Sequence, residues 1–302
     1  QDIAERIAQL KQQLGNDLLI LGHHYQRDSI VMHADFLGDS FMLSQKAAES
    51  TAKYIVFCGV HFMAESADIL TSDEQIVILP NMRAGCSMAD MATFAEVDVA
   101  WKEILQQSGL SDPIERDNPQ SPAQQGQSFL VPVTYMNSSA ELKDFVGRHG
   151  GVVCTSSNAK GVLNWAFDRA GKDGAVLFFP DQHLGRNTGT AMGIAADKMP
   201  TWIPNIGSLG DVKGSRIILW HGFCSVHTRF TVEQIESFRQ RYPEGYVVIH
   251  PESPIESVQV ADANGSTQFI RNYVANLPSG SAIAIGTEIN MVARLANEHP
   301  DK

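Results

Sequence analysis

Nine short apolar runs in this 302-residue sequence each end in side chains suited to chemistry. The tails read GHHYQ from Gly22, CGVHFMAES from Cys58, PNMRAGCSMAD from Pro80, TYMNSS from Thr134 and CTSSNA from Cys154. They continue with PDQHLGR from Pro180, WHGFCSVH from Trp220, HPES from His250 and GTE from Gly286. Loop polarity alone would supply Lys, Glu and Asp, whereas these tails are rich in His, Tyr, Cys, Asn and Ser. Imidazole, phenol and carboxylate groups move protons. Thiols attack carbon or bind metal once ionised. VVIHPES is the sharpest case, since a β-prone run stops at His250, Pro251 and Glu252. An imidazole and a carboxylate at a strand end belong to a site at the carboxyl edge of a sheet.

The runs fall near 17–22, 54–58, 76–80, 129–134, 151–154, 175–179, 216–220, 246–250 and 281–285. Amphipathic stretches of helical length, such as SSAELKDFVGRHG and TVEQIESFRQRY, separate most of them. Buried runs alternating with helices predict an α/β fold with parallel sheets, which bind ligands outside the strands' carboxyl ends. The nine runs divide into three triplets, separated by polar stretches at 107–128 and 185–215 that read as surface insertions without a catalytic pattern. Three units of similar size are therefore expected: 1–88, 89–222 carrying both insertions, and 223–302.

Net charge is −11, which argues against non-specific nucleic-acid binding, a process needing a basic field. Local neutral donors can still hold an anionic substrate. No stretch approaches the length of a membrane span and the first residues lack a signal-peptide core, so a cytoplasmic location is expected. Cys58, Cys86, Cys154 and Cys224 form no CxxC pair, which favours reduced thiols that are buried, catalytic or metal-bound. GxxxxGK[ST], GxGxxG and GxSxG are all absent, which weakens nucleotide-binding, hydride-transfer and serine-hydrolase readings. Cys–His thiol catalysis stays open. His33 and His149 read as solvated or satisfied, and His61 and Glu65 as a helix-face pair. SSAE from Ser138 and TVEQ from Thr231 read as helix caps. Ser266 and Thr267 in NGST are either a cap or a phosphate site at a helix N-terminus.

At GHHYQ, LGDS, VFCGVHFMAES, NMRAGCSMAD, VTYMNSSAE, CTSSNA, PDQHLGR, GFCSVH, HPES, GST and GTE the chain resembles the quinolinate synthase family, with blocks in order from about 17 to 298. The resemblance implies three αβα units related by pseudo-threefold symmetry around a central site. It implies a [4Fe–4S] cluster on three cysteines, with one iron open. It implies condensation of iminoaspartate with dihydroxyacetone phosphate to quinolinate, with loss of water and phosphate, in NAD biosynthesis. L-aspartate oxidase or aspartate dehydrogenase would supply the iminoaspartate.

Carried over by motif, Cys86 and Cys224 match two cluster ligands. His23, Tyr25, His250 and Glu252 match catalytic groups, Glu252 as base and Tyr25 as proton shuttle. Ser40, Tyr135, Asn137, Ser266 and Thr267 match substrate contacts, as does either Ser156 or Ser157. The family's third cysteine follows the stretch ending NEHPDK and has no match here, so the third unit is expected to be truncated and this chain alone weak or inactive. Recruitment of Cys58, Cys154 or an exogenous ligand is one substitute. Ser253 stands where many members have Cys, at a position that is not a cluster ligand. The alternatives are a mononuclear metal lyase or aldolase using His23, His250 and Glu252, and a cluster-free metabolite-binding homologue.

Overall fold

The structure is a computed structural model and describes residues 2–302. Among them, thirteen strands form three sheets. The first sheet contains β1 (Leu18–His23), β2 (Phe36–Gly38), β3 (Tyr54–Cys58) and β4 (Ile76–Ile78). The second contains β5 (Leu130–Tyr135), β6 (Val152–Cys154), β7 (Ala175–Phe179), β8 (Thr201–Ile203), β9 (Gly207–Leu209) and β10 (Ile217–Trp220). The third contains β11 (Tyr246–Ile249), β12 (Ala263–Asn264) and β13 (Ile283–Gly286). All pairings are parallel except β8 with β9, and twelve α-helices connect or cover the strands. The fold is α/β, as the alternation of runs predicts.

The strand orders are β2-β1-β3-β4, β6-β5-β7-β10-β8-β9 and β12-β11-β13. Each sheet places its first strand in sequence between its second and third. The chain therefore leaves that strand toward one side and later crosses to the other, opening a crevice at the strand's carboxyl end. His23 lies at the end of β1 and Tyr135 at the end of β5, while His250 follows β11. Gly286 lets β13 close on β11 beside this point, because a Cβ there would lie 2.6 Å from Ile249 Cγ2.

The sheets are unequal, and the three-triplet grouping does not hold. Ile217–Trp220 pairs with β7, at Ile217↔Val176, and so lies in the second sheet. The third sheet completes itself with the two-residue β12. The 185–215 stretch is also more than a surface insertion. Its first residues, 185–191, belong to helix Gln182–Ala191, and β8 and β9 extend the second sheet with Trp202 buried.

One apolar cluster runs from Leu21 and Phe57 of the first sheet to Val133 and Phe178 of the second, welding these units together. Trp101, Trp202 and Trp220 fill the other face of the second sheet. The third sheet has smaller clusters around Val248 and Ile249. Helix Ile289–Glu298 ties it to the first unit through buried Arg294, which donates to the carbonyls of His24 (2.9 Å) and Gln26 (2.6 Å) and to Asp28 Oδ1 (2.7 Å). Among the described residues, no helix is long and apolar enough to cross a membrane.

Candidate active site

The carboxyl ends of β1, β5 and β11 converge on one cavity of about 310 Å³. His23, Tyr25, Ser40, Tyr135, Asn137, Ser156, His250, Glu252 and Thr267 line it, with Cys86 and Cys224. Asp39 caps helix Ser40–Glu49 and Ser266 caps helix Thr267–Asn276, so Ser40 and Thr267 each open a helix whose N-terminus reaches the cavity. Such ends favour anions. Thr267 Oγ1 is buried there without a hydrogen-bond partner.

Glu252 is almost wholly buried. Tyr135 donates its hydroxyl to Oε1 at 2.7 Å, and His227 Nδ1 meets Oε2 at 2.8 Å. Burial alone would raise the Glu252 pKa, but the imidazoles of His250 and His227, with the hydrogen bonds from His227 and Tyr135, hold it well below the carboxylate range. Burial opposes charge on His227 too, yet Glu252, reinforced by Cys224, lifts it to about 10. The interior thus holds a paired cation and anion, because one buried charge without the other would be far costlier.

His23 and His250 behave differently. Burial drives each down to about 3, with neighbouring imidazoles adding to the effect. In both, Nδ1 accepts from the backbone N–H two residues on: Tyr25 N at 3.2 Å and Glu252 N at 3.4 Å. A backbone N–H only donates, so the remaining proton sits on Nε2 and each ring is a neutral donor. Burial likewise keeps the hydroxyls of Tyr25 and Tyr135 protonated, and the Glu252 carboxylate reinforces this.

Several expected residues fall elsewhere. Ser157 bonds Thr155 at 2.9 Å and does not line the cavity, so Ser156 is the serine of CTSSNA that does. Ser266 serves as a cap rather than a wall. Cys154 is fully buried and Cys58 lines an apolar groove on the first sheet, so neither reaches the cavity as a substitute ligand. Glu65 accepts from Ala140 N at 2.8 Å across units, and the SSAE cap falls on Ser139. His149 is satisfied by Asp112. Thr231 and Gln234 form the expected capping box.

Other residues at the site carry no role in the sequence reading. His227 stands three residues after Cys224, a metal-like spacing visible in GFCSVH. Asp181 accepts from Cys224 N at 3.1 Å and caps helix Gln182–Ala191. Asn187 donates to the carbonyls of Pro251 and Ser253, both at 2.8 Å, and so clamps the turn carrying Glu252.

The family described as Quinolinate synthetase A protein matches residues 5–302. The chain belongs to this family. It is 53% identical over 304 residues to the quinolinate synthase of Corynebacterium glutamicum, which covers 99% of the chain and 72% of the relative. Quinolinate synthases of Bacillus cereus strain AH187 and Bacillus thuringiensis subsp. konkukian are each 47% identical over 306 residues, covering 100% of the chain and 77% of each relative.

In this quinolinate synthetase A chain the metal-capable donors are clear. Ligand atoms of Cys224, His227 and Glu252 lie within 4.8 Å of one another. Among the described residues this is the group whose ligand atoms come together, and the 2-His-1-carboxylate set of His23, His250 and Glu252 is not. Cys86 and Cys224 face the same cavity and fit thiolate anchoring of iron. Burial raises the Cys86 thiol, helped by Glu252 and resisted by backbone N–H groups, so metal binding there must release a proton.

Proposed function

We propose that this cavity is where the chain forms quinolinate from iminoaspartate and dihydroxyacetone phosphate in NAD biosynthesis. The observation that carries the reading is the Glu252 carboxylate, buried and ionised between Tyr135 and His227, in a cavity walled by all three sheets and two cysteines. Cys86 and Cys224 would hold a [4Fe–4S] cluster, which when bound would supply Lewis acidity toward a hydroxyl leaving group. Glu252 accepts the proton from the carbon beside the imine, where a weak base suffices because that C–H is acidified. Tyr25 returns a proton at its hydroxyl. His23 and His250 donate from Nε2 without adding charge. Ser40, Asn137, Ser156 and Thr267 take the substrates' carboxylates and phosphate, Ser40 and Thr267 with the help of their helix N-termini. Neutral donors at these points let a chain of net charge −11 bind anions. An enzyme that oxidises L-aspartate supplies the imine.

The test is iron and acid-labile sulfide on anaerobically reconstituted protein, beside Cys86→Ala, Cys224→Ala and Glu252→Gln. About four of each per chain, lost in both cysteine variants, supports the cluster assignment. Retention in either cysteine variant overturns that ligand. Glu252→Gln is expected to keep iron and to lose quinolinate formation by about a hundredfold or more; wild-type turnover would overturn its role as base.

A further inference from the structure

The tails PDQHLGR and WHGFCSVH follow β7 and β10, two strands that pair side by side. Two hydrogen bonds stitch the tails together. Gln182 N–H donates to the Gly222 carbonyl at 2.8 Å, and Cys224 N–H donates to Asp181 Oδ2 at 3.1 Å. The other carboxyl oxygen, Asp181 Oδ1, accepts from Leu184 N at 2.7 Å in the first turn of helix Gln182–Ala191. Asp181 is fully buried and is not part of the cavity wall, whereas Cys224 is. The Cys224 carbonyl is taken as well, by the N–H and the hydroxyl of Thr228, each at 3.1 Å. The backbone is therefore fixed on both sides of this cysteine. Cys86 is held differently, because N–H groups of Met88 and Ala89, in its own turn, reach its sulfur.

We infer that Asp181 is a positioning residue for Cys224, whose buried carboxyl ties the cysteine's backbone to helix Gln182–Ala191 and so aims the thiol at the place where iron binds. This rests on Cys224 being a cluster ligand, as proposed above. Groups that orient a metal ligand without touching the metal carry about ten- to a hundredfold of the metal affinity. Asp181 serves two donors with two oxygens, and the two services are separable. Serine caps a helix about as well as aspartate, so Asp181→Ser keeps an acceptor for the helix. Its single, shorter hydroxyl leaves the Cys224 N–H without its partner.

The experiment compares wild type, Asp181→Ser and Cys224→Ala in two assays. In the first, metal-free protein is treated anaerobically with iodoacetamide, and alkylation of each cysteine is followed by peptide mass spectrometry. Asp181→Ser is expected to alkylate at Cys224 about tenfold faster than wild type, with Cys86 within about twofold. A general loosening of the fold would raise both rates together, so the ratio reads the aim of one thiol. In the second, anaerobically reconstituted protein is titrated with an iron chelator. The concentration that removes half the iron is expected to fall by about ten- to a hundredfold in Asp181→Ser. A wild-type ratio of Cys224 to Cys86 alkylation, or iron held as firmly as in wild type, overturns the inference. If Asp181→Ser does not fold, Asp181→Asn, which keeps the volume but only one carbonyl oxygen for the two donors, is read in the same assays. Full iron in Cys224→Ala sinks the underlying ligand assignment. Iron lost in Cys224→Ala but held at wild-type strength in Asp181→Ser sinks only the role of Asp181. Where wild type itself takes up no cluster, the cluster reading fails and the alkylation ratio alone decides whether Asp181 aims the thiol.

Discussion

Acidification from about pH 7.5 to about pH 5.5 is expected to destabilise the metal-free protein by roughly 2–3 kcal/mol, from imidazole titration alone. His23, His24 and His250 are each more than nine-tenths buried, with pKa values pushed down to about 3, about 4 and about 3. In every case burial is the largest cause. The folded chain keeps all three neutral across this window, whereas the unfolded chain, with ordinary values near 6.5, takes up almost a proton on each. Stability therefore falls as pH falls, by about 1 kcal/mol for each ring. His227 has the opposite sign. Its folded value is raised to about 10, so its contribution is complete below 6.5, is lost as pH rises toward 10, and grows by about the same amount on acidification. Three rings against one leaves two. His183, lowered mainly by burial, adds in the destabilising direction. Glu252 has its pKa held down, so its contribution is lost only at pH values below this window. Urea unfolding midpoints at the two pH values measure the sum. His24 allows a sharper test, because neither of its ring nitrogens has a hydrogen-bond partner. His24→Leu breaks no bond and should reduce the acid loss by about 1 kcal/mol. Asp181 works the other way, because burial raises its carboxyl well above the ordinary carboxylate range, so the wild-type midpoints alone do not decide; an acid loss unchanged in His24→Leu would refute the claim that this ring is buried neutral.

Thr267→Val should leave the melting temperature unchanged or slightly raised, since the buried hydroxyl has no partner to lose. The same change should raise KM for dihydroxyacetone phosphate by about tenfold, the cost of one hydrogen bond to a charged group; an unaltered KM would remove Thr267 from the binding site. Asn187→Ala should cost about 2–3 kcal/mol in urea unfolding, because it strips the clamp from two buried carbonyls. It should also lower kcat by loosening the turn that carries Glu252. A variant as stable as wild type, with full kcat, would mean the turn holds itself.

Periodicity and tail composition made the strands and the edge that lines the cavity legible, because buried parallel strands are continuous apolar runs and their ends are chemically unusual. Sheet membership was not legible. Nothing local in RIILW says whether it pairs with β7 or β11, since that choice is made by long-range packing. The stretch after 185 misleads for a different reason. Glycine reads as loop, yet Gly185 lies inside a helix where a Cβ would come within 2.5 Å of Leu219 Cδ2. There glycine marks close packing of helix on sheet. His227 went unremarked because GFCSVH draws attention to its cysteine, and the partners that give the imidazole its charge, Glu252 and Thr287, come from distant segments.

The strand order explains why the site takes this form. Each sheet has its own switch point, and a single crevice of this kind offers a few side chains on one wall. Three such crevices facing one another put His23 and Tyr25, Tyr135 and Asn137, and His250 and Glu252 around one volume. The cost of that enclosure is a carboxylate taken out of water. Tyr135 from the second unit and His227 from the third offset it, and Thr287 carries the same bonding on to Tyr25 of the first. An ionised Glu252 therefore requires all three units to be docked. Any change that separates them, such as loss of the Arg294 grip on residues 24–28, should uncouple the base from its partners before it unfolds any one sheet.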